Sequence, residues 1–292
     1  MTRNTDSTDR RAAIDRLIER ALPSDSTGCL APVDAQMDAF EDRWYGQLVV
    51  ASTAAGRAGD SAASDVSGST TGDATESALD EGSAGAAAAI ELLRGYCSLR
   101  YGLLLRDGDE RSLESVTPEL LSSDYLFAAA FERLGEPVTS DGDTARLESC
   151  FETLAGTAER SIEAMATYER QSPSLAAYAD VAEETAGALG WWAARTGAVL
   201  ADVATDHRQT IASIGRLASV HRQLRHVLDP SAVPGPVTPF PGVECDGSAP
   251  GDDDLRRLAG TRRDEVLTAI ESLPATIDAT ALRSLVQLDG QE

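Results

Sequence analysis

Basic side chains occur within the largely apolar stretch 85–106 and at the end of the predicted helix 205–228. They are Arg94, Arg100 and Arg106 in the first stretch, and Arg225 and His226 at the end of the second. A guanidinium group can hold a phosphate through two parallel hydrogen bonds without a metal ion. One interpretation is therefore a metal-free anion pocket. The alternative, which we favour, is a solvated helix face, since charge clusters on helices are commonly solvated.

Metal and nucleophile chemistry has little support in the sequence. His207, His221 and His226 fall on one predicted helix, and the first two are too far apart to share a metal ion. The cysteines are widely spaced, which argues against a zinc site, and Cys97 and Cys150 fall in apolar stripes typical of buried free thiols. The chain has no lysine, so Schiff-base chemistry and Walker-type phosphate loops are excluded.

A single long helix over 85–106 is the element around which we expect the others to pack. Its small residues Ala86 to Ala89 allow a neighbouring backbone to approach closely. Apolar residues then recur three or four apart and form one stripe about 30 Å long. They are Ile90, Leu93, Cys97, Tyr101 and Leu104. A helix of this kind is a core element or the wall of a cavity.

The rest of the chain shows the same periodicity and no strand pattern, so the sequence predicts an all-α protein. We expect a disordered leader at 1–8 and a single domain over 9–292. Within the domain, 56–84 is a low-complexity insertion with too few apolar residues for burial to offset the loss of conformational entropy on folding. Residues 230–251 are a Pro/Gly-rich loop. The remaining helices are predicted at 9–22, 34–55, 118–134, 143–171, 172–203, 205–228, 252–274 and 276–289.

The central helix resembles a helix of the trans-polyprenyl diphosphate synthases, which reads roughly A-x-A-I-E-L-x-H-x-x-S-L-I-H-D-D-x-x-D. Ala89-Ile90-Glu91-Leu92 and Ser98-Leu99 carry the match. In that family the aspartates hold magnesium for the allylic diphosphate. In their place this chain has Gly102, Leu103 and Arg106, so the first motif is degenerate.

Three further segments are similar to the same family. Asp124 falls on the aspartate of its Gly-Asp pair. Thr185 matches its Lys-Thr pair, whereas Glu184 replaces the lysine that touches the diphosphate. Gln223 lies near the glutamine of a second motif, F-Q-x-x-D-D-x-x-D. There Arg225 and His226 replace the first two aspartates and Asp229 keeps the third. The family's basic pocket for isopentenyl diphosphate, G-K-R-x-R-P, would lie near 42–46, where Arg43 alone survives.

The resemblance covers about 85–288, with a weaker fit at 34–55. It implies a bundle of about 8–10 antiparallel helices around a central apolar cavity. With the aspartates missing, it implies no cofactor and no bound Mg²⁺. We therefore expect a non-catalytic homologue, a partner or regulatory subunit of an active prenyl synthase in isoprenoid biosynthesis. The expected assembly is a homodimer or a heteromer with that synthase.

Two alternatives stay open. One is an isoprenoid-diphosphate-binding protein or a prenyltransferase with an altered, metal-independent site, and the other is a homodimer without a ligand. The candidate residues for an anion site or cavity are Arg94, Arg100, Asp124, Glu184, Thr185 and Gln223.

Charge dominates the composition of this 292-residue chain: 25 basic residues, all arginine, stand against 48 acidic ones, for a net charge of −23. Such a composition is typical of proteins from high-salt organisms, which suggests a haloarchaeal origin. The lack of a basic stripe argues against nucleic acid as a partner. The sequence shows no signal peptide and no stretch long and apolar enough for a membrane span, so we expect a cytoplasmic protein.

Overall fold

The computed structural model describes residues 3–22, 30–64, 81–105, 112–136, 141–170, 174–231 and 250–287. Within these ranges the chain is helical and contains no strand, which confirms the all-α prediction. The helices are α1 (Arg3–Ala21), α2 (Ala31–Asp38), α3 (Trp44–Ser64), α4 (Glu81–Leu104), α5 (Leu113–Gly135), α6 (Asp141–Tyr168), α7 (Leu175–Ala182), α8 (Ala188–Leu200), α9 (Thr205–Leu228), α10 (Asp252–Glu271) and α11 (Thr280–Gln287). The π-helical turn Glu183–Gly187 joins α7 and α8 into one continuous helix.

Helix α4 lies at the centre of the bundle, as its apolar stripe predicts. It packs against α5, α3 and α8, and also contacts α1 and α6. Ala86 to Ala89 have no exposed surface. A Cβ atom on Gly46 of α3 would lie only 3.0 Å from the carbonyl oxygen of Ala87, so the two helices approach at backbone distance. The small residues of α4 thus allow its close packing with α3.

Glycines allow a second close approach, between α8 and α9. A Cβ atom added to Gly215 would lie 2.3 Å from the carbonyl oxygen of Gly190, far inside normal contact distance. About two turns further along α8, a Cβ atom on Gly197 would lie 2.3 Å from the carbonyl oxygen of Val49 in α3. Helices α3, α8 and α9 therefore form a tight layer that fixes the position of α9 relative to α4.

Several helix ends differ from those that the sequence predicts. Helix α1 begins at Arg3 and so includes residues 3–8, where we expected a disordered leader; this segment contains no proline or glycine that would stop a helix. Helix α5 begins at Leu113, before the predicted Thr117-Pro118 start. The side chain of Thr117 donates instead to the carbonyl oxygen of Leu113, at 2.5 Å.

The two predicted loops are described only in part. Helix α3 continues to Ser64 and α4 begins at Glu81, so helices enter the predicted insertion 56–84 from both ends; residues 65–80 lie outside the described part of the chain. Of the loop 230–251, residues 232–249 likewise lie outside it. In the described ranges, no helix combines the length and apolar character that crossing a bilayer requires.

Candidate functional site

Arg94, one of the two arginines of helix α4, is fully buried and engaged in ion pairs. Its Nη1 lies 3.2 Å from Oδ1 of Asp42 and 3.3 Å from Oε2 of Glu91, one turn earlier in α4. Its guanidinium carbon lies 4.0 Å from the ring centroid of Phe40, a distance at which a cation–π attraction operates. The interruption in the apolar stripe of α4 is therefore part of the core and not a solvated position.

Asp42 connects Arg94 to a second buried arginine on a different helix. It lies in the turn between α2 and α3, and its other oxygen, Oδ2, accepts a hydrogen bond from Nη2 of Arg222 in α9. The guanidinium carbon of Arg222 lies 5.4 Å from the ring centroid of Trp44. One carboxylate thus ties α4 to α9. We call Asp42, Glu91, Arg94 and Arg222 the Asp42 network.

Glu91 completes the network and is fully buried. Its Oε1 accepts a hydrogen bond of 2.8 Å from the backbone N–H of Gly46, at the start of α3. Burial raises the pKa of Glu91 above its ordinary value, although the neighbouring Arg94 opposes this shift. In formal charge, the two carboxylates of the network balance its two guanidinium groups.

Arg43, expected to survive from a basic pocket, has a structural role. Its backbone has a positive φ of 46°, an uncommon conformation for a residue with a side chain. Its Nη1 donates to the carbonyl oxygens of Met37 and Phe40, at 2.7 and 3.1 Å, and its Nε donates to Asp15 at 2.7 Å. The guanidinium thereby satisfies carbonyl groups at the end of α2 and holds the turn that carries Asp42.

The positions expected for the first aspartate motif carry no carboxylate. In the register anchored on Ser98-Leu99 they are Gly102, Leu103 and Arg106, and Arg106 lies outside the described residues. Counted without a gap from Glu91, the same pattern ends on Tyr101, Gly102 and Leu105 instead. Tyr101 is fully buried, and this burial raises its pKa well above the ordinary value. Neither register provides the oxygen ligands of a magnesium site.

The end of α9 also differs from a metal-binding motif. Arg225 and His226 are half-buried in its last turn, whereas Gln223 is buried in the core. Asp229 is exposed just beyond the helix, where its Oδ1 accepts hydrogen bonds from the backbone N–H and the hydroxyl of Ser231, at 3.0 and 2.6 Å. The expected grouping of these basic residues with Arg106 stays a prediction, because Arg106 is not among the described residues.

The remaining candidate residues are split between two other places. Arg100 forms an ion pair with Asp124 of α5. Glu184 lies in the π-helical turn and accepts a hydrogen bond of 2.8 Å from Arg216 of α9. The hydroxyl of Thr185 donates to the carbonyl oxygen of Val181 at 2.6 Å, so it is used within its own helix. The structure therefore does not gather the predicted site residues into one cluster.

A magnesium site does not fit the residues that the structure describes. In the described ranges no three side chains among histidine, cysteine, aspartate and glutamate are grouped so as to hold a metal ion. The carboxylates nearest to the buried arginines, Asp42 and Glu91, are already engaged with them. A divalent cation there would have to displace guanidinium groups from a buried, balanced cluster.

The sequence interpretation missed three members of the network: Asp42, Glu91 and Arg222. Two signals pointed to them. Glu91 and Arg94 lie three residues apart, a spacing that pairs charges on one helix face, within a stretch that is otherwise apolar. A charged residue in such a stretch is buried only with a partner. Asp42, however, lies 180 residues from Arg222, and no local pattern links the two.

Comparison with known proteins gives a result for the fold only. No protein-family model matches the sequence, and no curated protein matches it. Solved structures do match over nearly the whole chain. A geranylgeranyl pyrophosphate synthetase from the archaeon Geoglobus acetivorans superposes with a TM-score of 0.70 at 16% identity, covering 98% of this chain and 96% of that one.

The chain has the fold of the trans-prenyl diphosphate synthases. A farnesyl/geranylfarnesyl diphosphate synthase from Zymomonas mobilis gives a TM-score of 0.68 at 20% identity, covering 99% of this chain and 100% of that one. The small subunit of geranyl diphosphate synthase from Antirrhinum majus gives 0.66 at 16% identity, with 98% of both chains covered. The prenyl synthase fold that the resemblance implies is thus confirmed, at identities too low to carry an activity across.

Proposed function

We propose that this protein is a non-catalytic homologue of the prenyl diphosphate synthases that acts as a partner or regulatory subunit of an active synthase. One observation carries the proposal. At the described positions that the resemblance gives to the metal-binding aspartates, Gly102, Leu103, Arg225 and His226 provide no carboxylate, and the buried carboxylates of the Asp42 network are engaged by guanidinium groups. That cluster ties α4 to α9, and in the described part of the chain no group of side chains could hold a catalytic ion.

The physical argument concerns the leaving group. Chain elongation ionises an allylic diphosphate, and the charge that develops on the diphosphate must be neutralised. Magnesium does so in enzymes of this chemistry, and it needs several hard oxygen ligands in octahedral geometry. Arg94 has no exposed side-chain surface and Arg222 only 3%, so neither can replace the metal without breaking its ion pair with Asp42. Ordinary turnover is therefore not expected.

A partner role is supported by two of the structures with the same fold. One is named as a small subunit of geranyl diphosphate synthase, and another is a deletion mutant of a heterotetrameric geranyl pyrophosphate synthase from mint. The fold thus occurs in a subunit of a mixed assembly. A chain that keeps the scaffold can still pack against an active subunit and affect the shape of its cavity. A homodimer is the simpler assembly compatible with the same fold.

The alternative, a metal-independent site for an isoprenoid diphosphate, has weaker support. It would need guanidinium groups that are available to the ligand. Arg94, Arg100 and Arg222 are each paired with a carboxylate, and Arg43 is occupied by carbonyl oxygens and Asp15. A diphosphate would have to compete with all of these interactions. We therefore place the partner role first.

The test is an assay of the purified chain alone and mixed with an active prenyl synthase from the same cell. Both samples receive Mg²⁺, isopentenyl diphosphate and geranyl diphosphate. We expect no product from the chain alone. In the mixture we expect light scattering to show a stable complex, and the synthase to have a changed rate or product chain length. Product from the chain alone at an ordinary enzymic rate, about 1 s⁻¹ or more, would refute the non-catalytic assignment. An unchanged synthase that forms no complex would refute the partner role.

A further inference from the structure

A cavity of about 430 Å³ lies between the C-terminal half of α4, the start of α5 and the C-terminal part of α6. Seven residues line it: Tyr96, Arg100, Leu103, Leu104, Val116, Leu120 and Ile162. We call it the α4–α5 cavity. Arg94 and Tyr101 of α4 are buried in the bundle and do not line it. Its volume falls within the range of small-molecule pockets.

The walls of this cavity are apolar except at one point. Leucine, valine and isoleucine side chains form most of the lining, and Arg100 is its single basic residue. The guanidinium carbon of Arg100 lies 5.6 Å from the ring centroid of Tyr96, which holds the head group near the aromatic wall. Apolar walls with one cation are the arrangement that recognises an aliphatic chain with one anionic end.

Arg100 differs from Arg94 in the burial of its ion pair. Its partner Asp124 has 59% of its side chain exposed, so this carboxylate can return to water when it is displaced. Arg94, in contrast, is fully buried between its partners. A surface ion pair contributes little to stability, whereas a buried pair is costly to break. The Arg100–Asp124 pair is therefore the one that a ligand carboxylate can exchange with.

The charge of the cavity limits the ligand's head group. Asp124 already balances Arg100, and the other lining residues carry no charge. A single carboxylate can take the place of Asp124 on the guanidinium. A diphosphate has several negative charges and would need further cations or a metal ion. The lining thus favours a monoanion over a diphosphate.

We propose that the α4–α5 cavity binds an aliphatic monocarboxylate, such as a medium-chain fatty acid, with the chain against the leucines and the carboxylate on Arg100. The site is independent of the partner role proposed above. It uses no metal ion and no residue of the Asp42 network. Exchange of one carboxylate for another on the guanidinium leaves the charge of the protein's interior unchanged.

The test is titration calorimetry of the full chain with decanoate, decanol and geranyl diphosphate. We expect decanoate to bind in the micromolar to submillimolar range. Arg100→Gln should weaken decanoate about tenfold, the effect of losing one charge-assisted hydrogen bond, and should change decanol binding much less. Asp124→Asn should strengthen decanoate binding several-fold, because it removes the competing carboxylate. The matched control is Arg257→Gln on α10, which should leave binding unchanged.

Filling the cavity separates this site from adventitious binding elsewhere. Leu103→Trp should reduce decanoate affinity by about tenfold or more, with helix content checked by circular dichroism. Leu120→Trp, at a partly exposed position, serves the same purpose if Leu103→Trp does not fold. No decanoate binding to the wild type at millimolar concentration would overturn the proposal, as would affinity that survives both substitutions. Geranyl diphosphate that binds more tightly and competes with decanoate would overturn the monocarboxylate assignment.

Discussion

Asp42 is the residue whose removal tests the buried network most sharply. It accepts hydrogen bonds from Arg94 and Arg222, whose side chains are 0% and 3% exposed. In Asp42→Ala, Arg94 keeps Glu91 as a partner, and Arg222 loses its ion pair with Asp42. The network would then contain two buried guanidinium groups and a single carboxylate, that of Glu91.

The size of the effect follows from the burial of these charges. Breaking a buried ion pair by removing one partner costs about 3–5 kcal/mol, because the remaining charge stays in a poorly solvated place. For a chain of this length, each kcal/mol lowers the melting temperature by about 2–4 °C, so a fall of roughly 10 °C is expected. A second substitution that removes the guanidinium deprived of the Asp42 carboxylate, Arg222→Met, should recover part of the loss.

The assay is urea unfolding followed by circular dichroism for the wild type, Asp42→Ala and Asp42→Ala/Arg222→Met. The matched control is Asp253→Ala on α10, which removes an exposed carboxylate paired with Arg256 at 3.0 Å and should cost less than about 1 kcal/mol. The reasoning is refuted if Asp42→Ala is no less stable than this control. It is also refuted if the double variant is less stable than Asp42→Ala alone.

Three further predictions concern buried groups and close packing. Burial raises the pKa of Glu91 above 4.5. As the pH rises from 4.5, the unfolded state therefore loses the Glu91 proton before the native state does. The free energy of unfolding consequently falls until the native carboxyl is also deprotonated. Urea unfolding from pH 4.5 to neutral should therefore show the wild type losing stability relative to Glu91→Gln; a constant difference would contradict this. Burial also raises the pKa of Cys97 to about 12, so iodoacetamide should label its peptide about a thousandfold more slowly in native than in urea-unfolded protein. Equal labelling rates, measured by mass spectrometry, would show that the thiol is accessible. Finally, Gly215→Ala should destabilise the protein by about 1–3 kcal/mol or more, because the added Cβ atom would lie 2.3 Å from a backbone carbonyl oxygen. Gly260 on α10 has open space around it, so Gly260→Ala should stabilise the protein by about 0.5–1 kcal/mol. Comparable effects of the two substitutions in thermal melts would argue against the α8–α9 contact.

The helices could be predicted from the sequence because their signals are local. The apolar residues of α4 from Ile90 to Tyr101 recur every three or four positions, and all four of them are buried in the structure: Ile90, Leu93, Cys97 and Tyr101. The ends were less predictable. Pro118 predicts a helix start, yet α5 begins at Leu113. The helix can include Pro118 because a proline within the first turns removes few backbone hydrogen bonds. The π-helical turn had no signal in the side-chain pattern.

The candidate site was less predictable because it depends on contacts between distant residues. Arg94 and Arg100 look alike in the sequence, both interrupting an apolar helix. The structure separates them: Arg94 points into the core against Asp42, and Arg100 lines a cavity beside Asp124. Which of the two is buried depends on where the turn before α3 lies. That position is set by the packing of α3 on α4, which periodicity alone does not specify.

A crystal structure of the protein grown with Mg²⁺ and geranyl diphosphate tests the central claim most directly. The account predicts that Asp42 still bridges Arg94 and Arg222, and that no metal ion lies between the ends of α4 and α9. Magnesium ions that bridge a diphosphate to side chains around Gly102 and Asp229 would contradict it.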